Sequence, residues 1–149
     1  MNQFEFTASS LEETRKIGLE IARQLTAPTA IALTGTLGAG KTQLARAILE
    51  GQGVNPEHVS SPTFTICQEY DGEKLKLFHV DLYRIQDDDE LMELGPEQWV
   101  DGEGIALIEW ADRFEWVLGS CQTEIELEPL GEESRIVRVR SQVLVEFSL

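Results

Sequence analysis

The chain has 149 residues, of which 42% are hydrophobic, and this is enough to form one domain with a sizeable core over residues 1–149. Its 27 acidic and 12 basic side chains give a formal net charge of −15. This balance excludes the broad cationic surface that usually grips nucleic acid, so any contact with RNA has to be local or made through a partner protein.

The first elements in chain order are a strand, a helix and a second strand. Apolar-polar alternation predicts a strand over residues 3–7. Ser10 and Glu13 form a capping box, in which the Ser10 hydroxyl accepts from the Glu13 amide and Glu13 reaches back, so a helix is predicted from there to about Leu25. Residues 29–34 (TAIALT) are too few and too β-branched for a helix and predict a compact strand.

Helical spacing of apolar residues resumes after a glycine-rich turn. It covers residues 41–50, and this helix is predicted to end at Gly51. Residues 63–70 and 74–81 are predicted to be two strands, and Asp71-Gly72 between them is a strong signal for a β-hairpin.

The C-terminal half contains a further apolar strand and a second hairpin. Residues 88–94 predict a short acidic helix, residues 104–109 (GIALIE) a buried strand, and residues 112–118 one or two helical turns. Residues 123–128 and 134–140 alternate apolar with polar or charged side chains, which predicts an exposed hairpin with one wet face. This order indicates an α/β fold, a mixed β-sheet flanked by helices with a C-terminal β-hairpin.

The acidic excess is concentrated in one part of the chain. Between Asp87 and Glu133 there are 16 acidic residues and a single basic one, Arg113. Such a run is typical of a solvated face, and the alternative is a docking surface for a basic partner. The sequence has neither a signal-peptide pattern at its start nor a stretch of membrane-spanning length, so we expect a cytoplasmic protein with no membrane contact.

Residues 35–42 (GTLGAGKT), the glycine loop, fit the pattern G-x-x-x-x-G-K-[ST]. Glycines let successive backbone N–H groups turn inward around phosphate oxygens, and the following helix adds its positive N-terminal end. Lys41 then bridges the β- and γ-phosphates, and the Thr42 hydroxyl is a ligand for Mg²⁺. The residues predicted to bind a nucleoside triphosphate are Gly35, Leu37, Gly38, Ala39, Gly40, Lys41 and Thr42.

Phosphate chemistry also needs an acidic group that holds the metal or orients a water molecule. Two carboxylates end apolar strands and are therefore candidates. Glu109 follows residues 105–108, and Asp81 follows residues 77–80. Because the chain is rich in carboxylates, this position alone does not choose between them.

Other classes of phosphate-loop protein can be compared with the sequence. A GTPase needs the base-reading motif Asn/Thr-Lys-x-Asp, which does not occur. A small-molecule kinase usually covers its phosphates with an arginine-bearing lid, and only Arg84 and Arg113 lie between residues 47 and 134. The classes that remain are an ATPase or ATP-dependent switch, and a small kinase with an unusual acceptor site.

The chain resembles the bacterial TsaE family, the P-loop ATPases of tRNA threonylcarbamoyladenosine biosynthesis. The resemblance runs from about Ser10 to Glu115. The matching segments are LGAGKT at 37–42, SPTF at 61–64, HVDLYR at 79–84, ELG at 93–95 and IEW at 108–110. It implies a P-loop NTPase-like fold with ATP and Mg²⁺ as the bound groups.

The resemblance also implies roles for matching positions. Lys41 and Thr42 would serve the phosphates and Mg²⁺, and Glu109 would be the acidic metal-site residue. Residues 61–64 are similar to a switch-like loop whose Thr63 faces the γ-phosphate. Asp81 would be a second carboxylate that holds a metal-bound water or steers the attacking one. His79 is interpreted as a core histidine, and Tyr83 and Trp110 fit either the site or simple packing.

Family proteins hold the adenine between the N-terminal segment and the last hairpin, which would place Ser10 and Arg135 near the base. Three positions depart from the family pattern. Thr36 stands in place of the usual Asp, Gln43 in place of a common second Thr, and Ala111 in place of a Pro. None of these changes removes a predicted phosphate or metal ligand, although Thr36 lacks a carboxylate that could affect hydrolysis.

The implied partners are two proteins, TsaD and TsaB, with tRNA contacted only indirectly. In this reading the ATP cycle supports repeated turnover by TsaD, the threonylcarbamoyl transferase. Two alternatives stay open: ATP acts only as an assembly ligand without essential hydrolysis, or the chain is a small-molecule kinase.

Overall fold

The computed structural model describes residues 1–59 and 66–149. Within these ranges the strands are β1 Asn2–Ala8, β2 Thr29–Gly35, β3 Cys67–Asp71, β4 Lys76–Asp81, β5 Ile105–Glu109, β6 Thr123–Pro129 and β7 Arg135–Ser141. The α-helices are α1 Leu11–Gln24, α2 Lys41–Gly51, α3 Asp88–Glu93 and α4 Glu115–Gly119. Short 3₁₀ turns cover Pro56–His58, Pro96–Gln98 and Ala111–Arg113.

All seven strands belong to one mixed sheet in the order β1-β7-β6-β2-β5-β4-β3. Strand β2 is parallel to β5 and β6, and β4 is parallel to β5, whereas the other neighbours are antiparallel. The predicted α/β architecture is confirmed. Because β2, β4 and β5 run the same way, their carboxyl ends meet at one edge of the sheet, where ligand sites of such sheets lie.

The sheet is covered on both faces. Apolar side chains of α1 and α2 pack on one face, against Ile31 and Leu33 of β2 and the inner face of β6 and β7. The opposite face of β2, with Ala30 and Ala32, packs under α3, α4 and the residues near Trp99. Burial on both faces explains why β2 is a continuous apolar run. In the part of the chain that the structure describes, no helix is both long and apolar enough to cross a membrane.

Helix α1 begins as the capping box predicts. The Ser10 hydroxyl accepts a hydrogen bond from the backbone N–H of Glu13 at 3.2 Å. The Glu13 carboxylate reaches back one residue further than expected and accepts from the N–H of Ser9. Both contacts satisfy N–H groups that the helix itself leaves without a partner.

Helix α2 ends at Gly51, so the prediction for the end of this helix is confirmed. A Cβ at position 51 would lie 2.5 Å from Cβ of Ala22, so this glycine permits the close contact of α2 with α1. The residue with left-handed backbone is Gly53, whose φ is +98°. It therefore provides the turn out of the helix.

The first hairpin forms as predicted but with a longer turn. Strands β3 and β4 pair from Cys67 opposite Val80 to Asp71 opposite Lys76, and residues 72–75 connect them. Gly72 donates its N–H to the carbonyl of Leu75 at 3.0 Å. Residues 63–65 of the predicted strand lie outside the described residues, and β3 begins at Cys67.

The second hairpin, β6–β7, is not the exposed feature that the sequence predicts. Strand β6 also pairs with β2, and β7 also pairs with β1, so both strands lie inside the sheet. Ile125 and Val139 are buried under α1 and α2, and the charged side chains of these strands occupy the other face, except for buried Arg135 at the start of β7. The alternation correctly indicated one wet face, but alternation carries no information about which strand lies next to an edge.

Candidate functional site

A cavity of about 380 Å³ lies at the carboxyl ends of β2, β4 and β5. Its walls come from the glycine loop, the ends of β4 and β5, the start of α1 and the region around the β6–β7 turn. The lining residues include Leu11, Leu37, Gly38, Ala39, Gly40, Lys41, Thr42, Asp81, Tyr83, Glu109, Trp110 and Arg135. The structure therefore brings most of the sequence-predicted site residues into one place.

The glycine loop has the backbone that its sequence predicts. Gly35, Gly38 and Gly40 have φ of +134°, +81° and +102°, in the region that side chains disfavour. Gly40 is the N-cap of α2, and it has no side chain with which to cap this end of the helix. With the helix dipole, the first N–H groups of α2 form a site suited to an anion.

Lys41 is held in the loop although it is almost fully buried. Its ammonium donates to the carbonyls of Gly35 at 2.7 Å and Thr36 at 2.8 Å, and it lies 4.2 Å from the ring centroid of Trp110. Burial lowers the pKa of Lys41, and the carboxylates of Glu109, Asp112 and Asp81 oppose that shift. The result is a desolvated positive charge at the base of the cavity, which favours an anionic ligand.

Glu109 connects the end of β5 to the start of α2. The Thr42 hydroxyl lies 2.9 Å and 3.0 Å from the two carboxylate oxygens, to which it can donate a hydrogen bond. Glu109 is 3% exposed, so this pair is shielded from bulk water. A hydroxyl and a carboxylate are hard oxygen donors of the kind Mg²⁺ prefers, so the residues fit this ion.

Among residues 1–59 and 66–149, no group of three or more His, Cys, Asp or Glu side chains is arranged to hold a metal ion by itself. This agrees with the way Mg²⁺ usually binds, through one or two carboxylates together with substrate phosphates. The Thr42–Glu109 pair can therefore supply only part of a coordination shell.

Asp81 is the second carboxylate at this edge. It is directly opposite Glu109 in the β4–β5 register, and its Oδ1 accepts a hydrogen bond from the N–H of Tyr83 at 2.9 Å. Burial raises the pKa of Asp81, and the nearby charge of Glu109 adds to that rise. The two carboxylates that the sequence left as competing candidates are neighbours in the structure.

Two aromatic side chains, Tyr83 and Trp110, line the cavity together with Asp81 and Glu109. Trp110 directly follows Glu109 and has a left-handed backbone with φ of +60°, which is unusual for a residue other than glycine. Its ring lies 4.9 Å from that of Tyr83, centroid to centroid. Both side chains line the cavity, and the Trp110 ring also contacts the ammonium of Lys41.

Arg135 lies against the glycine loop. Its Nη1 donates to the carbonyl of Ala39 at 3.0 Å and to the side-chain oxygen of Gln43 at 3.3 Å. The residue is 4% exposed, and its Nε has no hydrogen-bond partner among the residues the structure describes. Gln43 is one of the departures from the family pattern, and it contacts Arg135, which the resemblance predicts near the adenine base.

Two further residues, Ser10 and Thr63, were predicted to bind the nucleotide. The Ser10 hydroxyl accepts from the Glu13 backbone, and its neighbour Leu11 lines the cavity instead. The adenine contact of Ser10 stays a prediction. Thr63, with the rest of residues 61–64, lies outside the described residues.

Sequence reasoning missed the contact of His79. The residue is fully buried, as its interpretation as a core histidine requires, but its Nε2 lies 2.6 Å from Oε2 of Glu109. His79 and Asp81 are two residues apart on β4 and share one face of the strand. Because Asp81 is opposite Glu109, the parallel register would have indicated this contact if the strand pairing had been known.

The comparisons with known proteins agree on one family. The family model for threonylcarbamoyl adenosine biosynthesis protein TsaE matches residues 8–137. Two relatives are named tRNA threonylcarbamoyladenosine biosynthesis protein TsaE. That of Aquifex aeolicus is 41% identical over 136 residues, covering 91% of this chain and 94% of the relative. That of Bacillus subtilis is 36% identical over 135 residues, covering 91% and 84%.

A solved structure is also similar. The crystal structure of Bacillus subtilis YdiB superposes with a TM-score of 0.73 and 29% sequence identity. The similarity covers 94% of this chain and 86% of that one. The likeness thus includes nearly all of the sheet and both of its covering layers.

Proposed function

The chain belongs to the TsaE family of tRNA threonylcarbamoyladenosine biosynthesis proteins, and from this premise we propose that it binds ATP with Mg²⁺ and hydrolyses the ATP in support of that modification. One observation carries the proposal. The Thr42 hydroxyl that begins the phosphate-loop helix is hydrogen-bonded to the buried carboxylate of Glu109, at the base of the cavity.

The phosphates are bound by the glycine loop in this proposal. The backbone N–H groups of the loop and the first turn of α2 surround the β-phosphate, and Lys41 neutralises the charge on the β- and γ-phosphates. Such local positive potential is needed because the chain as a whole carries a charge of −15. The buried ammonium of Lys41 has little water to lose on binding, which strengthens its interaction with phosphate.

Thr42 and Glu109 are the residues that would hold Mg²⁺. When bound, the ion would neutralise charge on the phosphate oxygens as the terminal phosphate is transferred. Glu109 is suited to this role because a fully buried strand, β5, fixes its backbone. The Thr42 hydroxyl already lies beside the carboxylate, so the two donors do not have to be brought together on binding.

Asp81 is proposed to orient the water molecule that attacks the γ-phosphorus. The attack forms a bond from the water oxygen to phosphorus and breaks the bond to the ADP oxygen. A carboxylate whose pKa is raised accepts a hydrogen bond from water more strongly than an ordinary one. The Tyr83 N–H holds one oxygen of Asp81, which leaves the other oxygen for the water.

The partners in this proposal are TsaD and TsaB, with tRNA contacted only through them. The net charge of −15 supports indirect contact, because an acidic protein repels the phosphate backbone of tRNA. A cytoplasmic location follows from the same role and is part of the proposal.

The direct test is Mg²⁺-dependent ATP binding and hydrolysis by the purified protein and two variants. Lys41→Ala removes the phosphate-binding ammonium, so we expect weaker ATP binding and little hydrolysis. Glu109→Gln keeps the size of the side chain but removes its charge, so we expect ATP still to bind, with a smaller gain in affinity from Mg²⁺, while hydrolysis falls. Lys16→Ala and Glu103→Gln alter exposed residues away from the cavity and are the matched controls.

The same measurements separate the alternatives. Full support of tRNA modification by Glu109→Gln, without hydrolysis, would favour an assembly role for ATP. ADP release that appears only when a small-molecule acceptor is added would favour a kinase. Binding that is unchanged in Lys41→Ala would contradict the nucleotide site itself.

A further inference from the structure

His79 is a buried polar residue for which the proposed hydrolysis has no role. It lies in the middle of β4 with no exposed surface, and its side chain does not line the cavity. Its Nε2 nevertheless lies 2.6 Å from Oε2 of Glu109, which is also almost fully buried. The distance is that of a strong hydrogen bond to a carboxylate.

The surroundings of the ring decide which nitrogen carries the proton. A carboxylate oxygen is an acceptor, so Nε2 has to donate in this contact. His79 Nδ1 has no hydrogen-bond partner among the described residues. A buried N–H with no acceptor is costly, so the ring is best accommodated with its proton on Nε2 and a bare Nδ1.

This contact fixes one oxygen of Glu109. The Thr42 hydroxyl approaches both carboxylate oxygens, whereas His79 contacts Oε2 alone. If Thr42 turns toward a bound ion, His79 is the remaining described side chain that holds the carboxylate. On the same face of the sheet, Leu77 precedes His79 by two residues and Leu107 lies opposite it, and both are fully buried apolar groups. So dry an environment strengthens the hydrogen bond.

We propose that His79 is a positioning residue, which orients the Glu109 carboxylate for metal binding and hydrolysis by donating from Nε2 to Oε2. It acts through Glu109 and does not touch the nucleotide. This inference rests on the proposed function, since it assigns Glu109 to the metal. Such supporting contacts to a metal ligand typically affect affinity or activity by about 10- to 100-fold.

Three substitutions at position 79 separate positioning from simple packing. His79→Gln places an amide N–H near the position of Nε2, so it keeps the donor toward Glu109. His79→Asn places its amide near the position of Nδ1, and His79→Leu has no donor. His58→Leu is the matched control, because the other histidine of the chain is exposed. Thermal unfolding checks that each variant is folded.

The first readout is the gain in ATP affinity that Mg²⁺ provides, measured by calorimetry with and without the ion. We expect His79→Leu and His79→Asn to lose about 10-fold or more of this gain, with a parallel fall in kcat. Affinity for ATP without Mg²⁺ should change little, and His79→Gln should recover most of the gain. A gain that is equal in Gln and Asn variants would overturn the proposal, and this comparison holds even if His79→Leu does not fold.

The second readout uses the protein without nucleotide. Nitrogen-15 NMR of the histidine rings should show His79 with its proton on Nε2, in slow exchange with water, and His58→Leu assigns the signal. The signal should change in Glu109→Ala. A proton on Nδ1 instead would overturn the inference. Because this spectrum needs no ATP, it tests His79 even if the wild-type protein proves not to hydrolyse ATP, which would contradict only the proposed function.

Discussion

At the scale of single residues, the site holds charges in surroundings that disfavour them. Burial lowers the pKa of Lys41 and raises the pKa of Asp81, so each charged form is less stable than it would be in water. These are the shifts expected where side chains are arranged for a ligand rather than for the stability of the protein. Such residues should be replaceable at no cost to the fold.

Asp81→Asn tests that expectation. The variant keeps an oxygen for the N–H of Tyr83 but carries no charge, so we expect a thermal midpoint at neutral pH equal to or above that of the wild type. Hydrolysis should fall by about 100-fold or more, because the group that orients water is lost. Thermal melts and ATPase assays give both values, and Asp89→Asn on the exposed face of α3 is the control. A large loss of stability would contradict the assignment.

The pH dependence of stability gives a second check on Asp81. A carboxyl whose pKa is raised on folding binds more protons in the native state, so ionisation lowers the stability of the fold. The advantage of Asp81→Asn over the wild type should be absent below the ordinary pKa of 3.8 and should grow as pH rises through the raised value. Above that value it should be constant. An advantage that shrinks as pH rises would have the wrong sign.

The residue types of the site could be predicted from the sequence, but some of their contacts could not. The glycine loop, Lys41 and Thr42 are close in sequence, so local spacing was enough to identify them. The bond of His79 to Glu109 joins residues 30 positions apart and depends on which strands are neighbours. The hydrogen bond from Arg135 to the carbonyl of Ala39 joins residues 96 positions apart. The resemblance indicated only that Arg135 would lie near the base of the nucleotide.

At the scale of elements, the junction between β2 and α2 depends on space as well as on backbone angles. A Cβ built on Gly40 would lie 1.5 Å from Nη1 of Arg135, whereas a Cβ on Gly38 would meet no atom within 4 Å. Both glycines have positive φ. The β7 arginine therefore occupies the space that a side chain at position 40 would need.

Alanine substitutions should separate these two effects. Gly38→Ala introduces only backbone strain, which costs about 1–3 kcal/mol. Gly40→Ala adds displacement of Arg135 and should be the least stable of the set. Gly119→Ala in α4, which has ordinary φ and open space, should be neutral or slightly stabilising. Denaturant unfolding measures the order, and equal losses at positions 38 and 40 would contradict a role for Arg135 in holding the loop.

The outer face of the β1–β7–β6 region is held by one arginine. Arg138 lies 3.1 Å from Glu5, 2.9 Å from Glu126 and 2.9 Å from Glu128, so one cation links three neighbouring strands. Among the described residues, Arg140 makes one ion pair, with Glu124 at 3.9 Å. Without Arg138, three carboxylates would face one another.

Arg138→Ala should lower the free energy of unfolding modestly in low salt, since the contacts are largely exposed. The loss should shrink in 1 M NaCl, because salt screens the attraction between exposed charges. Arg140→Ala should have a smaller effect in both conditions. Urea unfolding at the two salt concentrations provides the comparison, and a loss at Arg138 that does not depend on salt would mean that packing rather than charge is responsible.

Element types were predictable because side-chain alternation and helical spacing are local patterns. The ends of the elements and the connections between them were harder to predict. The end of α2 at Gly51 was predicted, but the left-handed turn out of the helix lies at Gly53, and Gly51 permits the close contact with Ala22 of α1. The turn of the first hairpin has four residues, 72–75, whereas the predicted strands leave three, 71–73, because the length of the turn is set by where strand pairing ends.

At the scale of the whole molecule, the sheet order explains how distant segments meet in one cavity. Strand β2 lies between β5 and β6, so the glycine loop faces Glu109 on one side and the β6–β7 hairpin on the other. No local pattern in the sequence shows this order, because either hairpin would pair equally well at several places in a mixed sheet. The fold class was predictable and the neighbour relations were not.

Charge also acts at this scale. The cavity places Lys41 and Arg135 beside the glycine loop in a chain of net charge −15, whereas Asp81, Glu109 and Glu132 line its other parts. The positive charge available to phosphates is therefore local to the glycine loop. This distribution suits a protein that binds a nucleotide while contacting tRNA only through its proposed partners.

The central claim is that ATP hydrolysis at Glu109 supports tRNA modification, and reconstitution with TsaB, TsaD, tRNA and the other substrates tests it most directly. Threonylcarbamoyladenosine would be counted per TsaD molecule, beside ATP hydrolysis, for the wild type and for Glu109→Gln. We expect repeated turnover with the wild type, and no more than a single turnover with the variant even when calorimetry shows that it binds ATP. Repeated turnover with Glu109→Gln at the wild-type rate would contradict the claim.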